Sequence, residues 1–132
     1  MPTIQVEVRQ CGSTTSAADI RGHQIVVDRP KEKGGDDKGP MGGELLLVGI
    51  GGCFMSNLFA AIREREADVT NVKTGITATI AQNPARFSEI ILCVSADCED
   101  RALLQKLVTI AERGCITANT LRTDTALIVK IA

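Results

Sequence analysis

One segment limits what this chain can become. From Glu44 to about Glu66 it reads as a helix that is apolar on nearly every side until Ile62, then charged at Arg63, Glu64, Arg65 and Glu66. A helix without a polar face needs cover all round, so it is expected at the centre of the fold. Gly49, Gly51 and Gly52 are poor helix formers, each costing about 1 kcal/mol relative to alanine. Close backbone approach by another helix is the expected compensation. The longest apolar stretch, Leu45 to Met55, is short and glycine-rich against the roughly 20 residues that span a bilayer, so no membrane span is expected.

The flanking sequence supplies candidates for that cover. Residues 3 to 9 alternate polar and apolar as a half-buried strand. Residues 23 to 28 read as another, with a turn region from Gly12 to Ser16 between them. Residues 29 to 43 hold five glycines and two prolines among charged side chains, which predicts a long exposed loop, a length often tied to function. Residues 72 to 82 and 87 to 96 are β-branched, alternating runs joined at Asn83-Pro84, a hairpin pattern. A second helix follows, with Glu99 and Asp100 in its first turn and Leu103, Leu104, Leu107, Ile110 and Ala111 on one face. Gly114 predicts its stop, Cys115 to Leu121 a short further segment, and Thr125 to Ile131 a closing strand. Hairpins in place of βαβ alternation predict an α+β fold with antiparallel sheet, in one domain over residues 1–132.

A chain of 132 residues with 44% hydrophobic content can bury roughly two-thirds of its unfolded surface without disulfide staples. Its five cysteines therefore call for another reason. The amino terminus, Met1-Pro2-Thr3-Ile4-Gln5-Val6, has no basic segment followed by an apolar one. The expectation is a soluble, cytoplasmic protein in a reducing compartment, its thiols free, reactive or metal-bound. With a net charge of −1, no adjacent basic residues, no Trp and no Tyr, nucleic-acid binding is not expected.

Cys53 lies inside the apolar helix, in Gly51-Gly52-Cys53-Phe54, where a cysteine can equally be an inert small hydrophobe. Cys115 follows Gly114; at the start of a helical turn its thiol would meet backbone N–H groups that favour thiolate, and otherwise it occupies a loop. Cys93 and Cys98 are five positions apart, on opposite faces of an extended strand, and with Cys11 read as structural. There is no C-x-x-C, and His23 is the single histidine, so neither a closed zinc site nor a nucleophile-base-acid triad is expected. The glycines between Gly34 and Gly43 precede no G-K-[ST] and fit no dinucleotide fingerprint, so they more simply shape a loop over the start of the helix.

Asp28-Arg29-Pro30, Gly34-Gly35-Asp36, Gly39-Pro40, Glu44-Leu45-Leu46-Leu47 and Gly51-Gly52-Cys53, followed much later by Cys115-x-x-x-Asn119-Thr120-Leu121, together resemble the OsmC/Ohr family over most of the chain. The resemblance implies an intertwined homodimer in which sheets from both subunits wrap two central helices, with active sites at the subunit interface. It also implies a thiol-dependent peroxidase. Cys53 attacks an organic hydroperoxide and becomes a sulfenic acid, Cys115 resolves it to a disulfide, and an external dithiol of the lipoyl type reduces that disulfide, with no bound cofactor. This agrees with the general tendency of a sulfenic acid to condense with a neighbouring thiol. In hydroperoxide-resistance members an acid ten residues before the cysteine holds an arginine that supports the thiolate. Here that position is Gly43, and Glu44 stands nine before Cys53, about two and a half turns away and so on the opposite side of a straight helix. Arg9, Arg21 and Arg29 are candidates for the arginine, with Arg29, at the mouth of the loop, preferred. The proline that usually follows the second cysteine is Ile116. The alternative reading is a non-catalytic small-molecule binder or redox sensor that uses the same pocket.

Overall fold

A computed structural model describes all residues, Met1–Ala132. The chain divides into two compact units, Met1–Leu46 and Leu47–Ala132.

The first unit is a three-stranded antiparallel sheet of β1 (Arg9–Gln10), β2 (Ser16–Ile20) and β3 (His23–Val27). Strand β2 was not legible beforehand. It pairs in register with β3, Ile20 opposite His23, around Arg21-Gly22, both with positive φ (52° and 84°). Two such residues make the tight turn whose twist matches the flanking strands. Of the strand expected over 3 to 9, Arg9 alone pairs, joined by Gln10 just beyond it. Residues 3 to 8 keep their alternation, but the chain offers their backbone groups no partner strand, and a strand is stable only when those groups are bonded.

The expected loop at 29 to 43 is ordered around Asp28, which is 3% exposed. Its carboxylate accepts from the Thr14 hydroxyl (2.8 Å), the Thr15 hydroxyl (2.9 Å), the Arg29 N–H (2.7 Å) and the Lys38 N–H (3.2 Å). Backbone bonds from Asp28 to Pro40 and from Asp37 to Arg29 lay the loop back against the end of β3. At Gly35 and Gly39 a Cβ would collide with the carbonyls of Arg29 and Val26, so glycine is needed for close approach. Burial pushes the Asp28 carboxyl up, but the four donors more than offset it and hold its pKa near 2. A depressed carboxyl pKa contributes stability above its ordinary value of 3.8, and that stability is lost as pH falls toward 2. In Asp28→Asn the melting temperature is therefore expected to drop near neutral pH and to depend less on acid in that window. An unchanged acid profile contradicts this role.

Helix α1 (Gly42–Glu64) begins in the first unit and carries the second. The second unit continues with the long hairpin β4 (Thr70–Ala81) and β5 (Arg86–Asp97), then α2 (Arg101–Arg113) and α3 (Ile116–Leu121). Ile50, Gly51, Phe54, Leu58 and Ala61 form the buried face of α1. Phe54, Leu58 and Ala61 share a core with Val69 and with Leu104, Leu107 and Ala111 of α2. Leu58 and Leu107 are fully buried, each contributing about 1.5–3 kcal/mol by transfer from water. Asp100 is the N-cap of α2, its side chain accepting from the Leu103 N–H, and Glu99 precedes the helix instead of joining its first turn. Gly114 caps α2 with right-handed backbone (φ −88°), so its left-handed freedom is not used.

Four expectations need correction. Within one chain α1 is covered on one face, while Val48 and Phe59 are exposed. Gly51 is approached by the Ile76 side chain of β4, not by a helix, and nothing lies near Gly49 or Gly52. The helix also runs past Met55 to Glu64, 23 residues, long and apolar enough to cross a membrane, a test that the core helix of a folded unit also passes. The strand expected at Thr125–Ile131 is absent, and Leu127, Ile128, Val129 and Ile131 stand exposed.

Candidate active site

Cys53 lies on the fourth turn of α1, one residue before the buried Phe54, which leaves its thiol half-buried beside the core. Cys115 is the N-cap residue of α3 and is fully buried in that core. The packing of α1 against α2 and the α2–α3 turn brings the two together. Asn57 of α1 donates to the Ala111 carbonyl at 3.3 Å, and the Cys115 Sγ lies 3.4 Å from the Cys53 Sγ as a donor to it. Both thiols are free. A disulfide needs about 2.05 Å between sulfurs, so a shift of little more than an ångström closes this pair.

The start of α3 does not act on Cys115 as expected. Its side chain makes no cap bond and turns inward, toward Cys53 and the Thr117 hydroxyl (3.1 Å). Cys53 receives the donors instead. The Thr117 N–H holds its thiol below the ordinary cysteine range; burial opposes this, and the Cys115 thiol, the Thr117 hydroxyl and the Ile116 N–H reinforce it. Removing a donor to a thiolate raises its pKa. In Cys115→Ala the pH at which Cys53 becomes reactive is expected to rise, read from its alkylation rate against pH by peptide mass. A midpoint that stays or falls contradicts the donor role of Cys115.

Glu44 and Arg29 lie in the first unit. Glu44 accepts from the Met41 N–H at 2.9 Å in the first turn of α1, a helix-capping role. Arg29 is exposed and pairs with no carboxylate within the chain, whereas Arg9 is bound to Asp19 at 3.0 Å and Arg21 occupies the β2–β3 turn. Sequence reasoning missed Thr117; its signal is a hydroxyl two residues past the second cysteine, where a helix start turns it back onto the thiols. No cluster of three or more metal-ligating side chains is present.

A cavity of about 440 Å³ with a mixed polar and apolar lining lies between β5, α1 and the α2–α3 region. Phe54, Leu92, Val94, Val108 and Leu121 line it, and Cys115 opens onto it while Cys53 does not. The exposed Glu112–Arg122 ion pair borders it.

A family profile described as OsmC-like protein matches residues 35–130, which takes in both cysteines. The chain belongs to the OsmC-like family. No curated relative matches it. Solved structures share the fold at low identity. An osmotic stress induced and detoxification response protein of Psychrobacter arcticus is 20% identical, with a TM-score of 0.78 over 91% of this chain and 89% of that one. An OsmC-like protein of Mycoplasma pneumoniae is 18% identical, with a TM-score of 0.79 over 93% and 89%. An organic hydroperoxide resistance protein of Elizabethkingia anophelis is 19% identical, with a TM-score of 0.72 over 93% and 91%. The expected α+β architecture of the OsmC-like family is therefore the observed one.

Proposed function

We propose that the protein is a thiol-dependent peroxidase that reduces organic hydroperoxides, with Cys53 as the peroxidatic and Cys115 as the resolving cysteine. The observation that carries this reading is the 3.4 Å contact between a donor-stabilised Cys53 sulfur and a second, buried thiol. The Cys53 thiolate attacks the outer peroxide oxygen, the O–O bond breaks, and the alkoxide takes a proton and leaves as alcohol. The sulfenic acid left on Cys53 condenses with the Cys115 thiol to a disulfide and water. An external dithiol returns both thiols and is itself oxidised. The organic hydroperoxide resistance protein among the structural neighbours supports this substrate class. Steady consumption of an alkyl hydroperoxide driven by a lipoyl-type dithiol tests the reading; peroxide loss no faster than with the dithiol alone overturns it.

The working form in this reading is a homodimer. The uncovered Val48 and Phe59 of α1, together with the alternating but unpaired termini, supply the surface that a second copy covers. The cavity beside Cys115 favours a second reading, a non-catalytic small-molecule binder or redox sensor. Ligand-dependent melting that survives Cys53→Ser, without turnover, selects it.

A further inference from the structure

The resolving step has a proton problem that the peroxidase reading leaves open. Cys115 must lose its thiol proton as it attacks, and the oxygen leaving Cys53 must gain one. Cys115 is fully buried, so a protein group already in contact with its sulfur is best placed to carry it. The Thr117 hydroxyl is in contact with the Cys115 Sγ at 3.1 Å, in a geometry in which either atom is the donor, and the two sulfurs are 3.4 Å apart. The same hydroxyl helps hold the Cys53 thiol below the ordinary cysteine range. Thr117 is half-buried, and its position on the first turn of α3 sets its hydroxyl against the Cys115 sulfur, which in turn touches Cys53.

We propose that the Thr117 hydroxyl is the proton relay of the resolving step, passing the Cys115 thiol proton to the oxygen that leaves Cys53. This rests on the peroxidase reading above. The Cys115 Sγ–H bond breaks as its sulfur attacks the Cys53 sulfur. The Thr117 oxygen takes that proton and releases its own to the hydroxide departing from the sulfenic acid. The S–O bond breaks, the S–S bond forms, and one water leaves. Sulfenic sulfur is reduced, thiol sulfur is oxidised, and no further reactant is needed.

The test compares wild type, Thr117→Val and Thr117→Ser, mixed with one equivalent of an alkyl hydroperoxide and quenched at intervals with a sulfenic-acid trap. Intact mass then follows sulfenic acid and disulfide separately. Thr117→Val is expected to slow conversion of sulfenic acid to disulfide by about a hundredfold near neutral pH, the lower range for a lost general acid-base group. The defect should shrink as rising pH supplies hydroxide that can take the proton in place of the relay, and Thr117→Ser should restore the wild-type rate. A role in packing alone gives a pH-independent defect that serine does not rescue, and either that result or closure in Thr117→Val at the wild-type rate overturns the relay. Wild type that forms no sulfenic acid overturns the peroxidase reading and the relay with it.

Discussion

Cys53→Ser is expected to reduce hydroperoxide consumption to the uncatalysed rate, because the donors around position 53 stabilise a thiolate and have nothing equivalent to act on in a serine hydroxyl. The nucleophile in this chemistry is an anion, and sulfur reaches that state near neutral pH where a serine oxygen does not. The Thr117 and Ile116 N–H groups remain in the variant but face a neutral hydroxyl. Cys115→Ser separates the two steps. It keeps Cys53 and is expected to take up one oxygen per chain, then stop, since no second thiol stands beside the sulfenic acid. Peroxide loss with the dithiol present reads Cys53→Ser, and peroxide uptake per chain without the dithiol reads Cys115→Ser. Turnover in Cys53→Ser above a small residue places the nucleophile elsewhere.

Leu107→Ala is expected to destabilise the second unit by about 2–5 kcal/mol, the range for deleting a fully buried leucine side chain. Leu107 shares its core with Phe54, Leu58 and Cys115, so the vacated space opens beside the residues that hold the two sulfurs together. Denaturant unfolding followed by circular dichroism measures the loss, and disulfide closure is expected to slow in the same variant. A loss below about 1 kcal/mol, typical of exposed positions, contradicts the packing described for α1 and α2.

The parts of the fold that carry their own partners were legible from the chain. The β4–β5 hairpin shows in the alternation on both sides of Asn83-Pro84, and α2 in the spacing of Leu104, Leu107 and Ala111. Cys53 and Cys115 stood out by their flanking residues, and their juxtaposition across 62 positions could be implied only by resemblance. Features made by contact were not legible. Asp28 becomes a hub because Thr14, Thr15 and Lys38 converge on it, and Thr117 matters because α3 turns its hydroxyl onto the Cys115 sulfur. The strands expected over residues 3 to 8 and Thr125–Ile131 do not form, because pairing needs a neighbour that the single chain does not supply. Glu44 shows how an acid near the expected place is claimed by a nearer task, the Met41 N–H of its own helix start.

The central claim is that Cys53 and Cys115 form one redox pair. Treating reduced protein with one equivalent of an alkyl hydroperoxide and mapping its peptides by mass tests it most directly. The expected product is one intramolecular disulfide joining the Cys53 and Cys115 peptides, reversed by a dithiol and accompanied by one equivalent of alcohol. Unmodified thiols, Cys53 oxidised beyond sulfenic acid with Cys115 untouched, or a disulfide between two chains would contradict it.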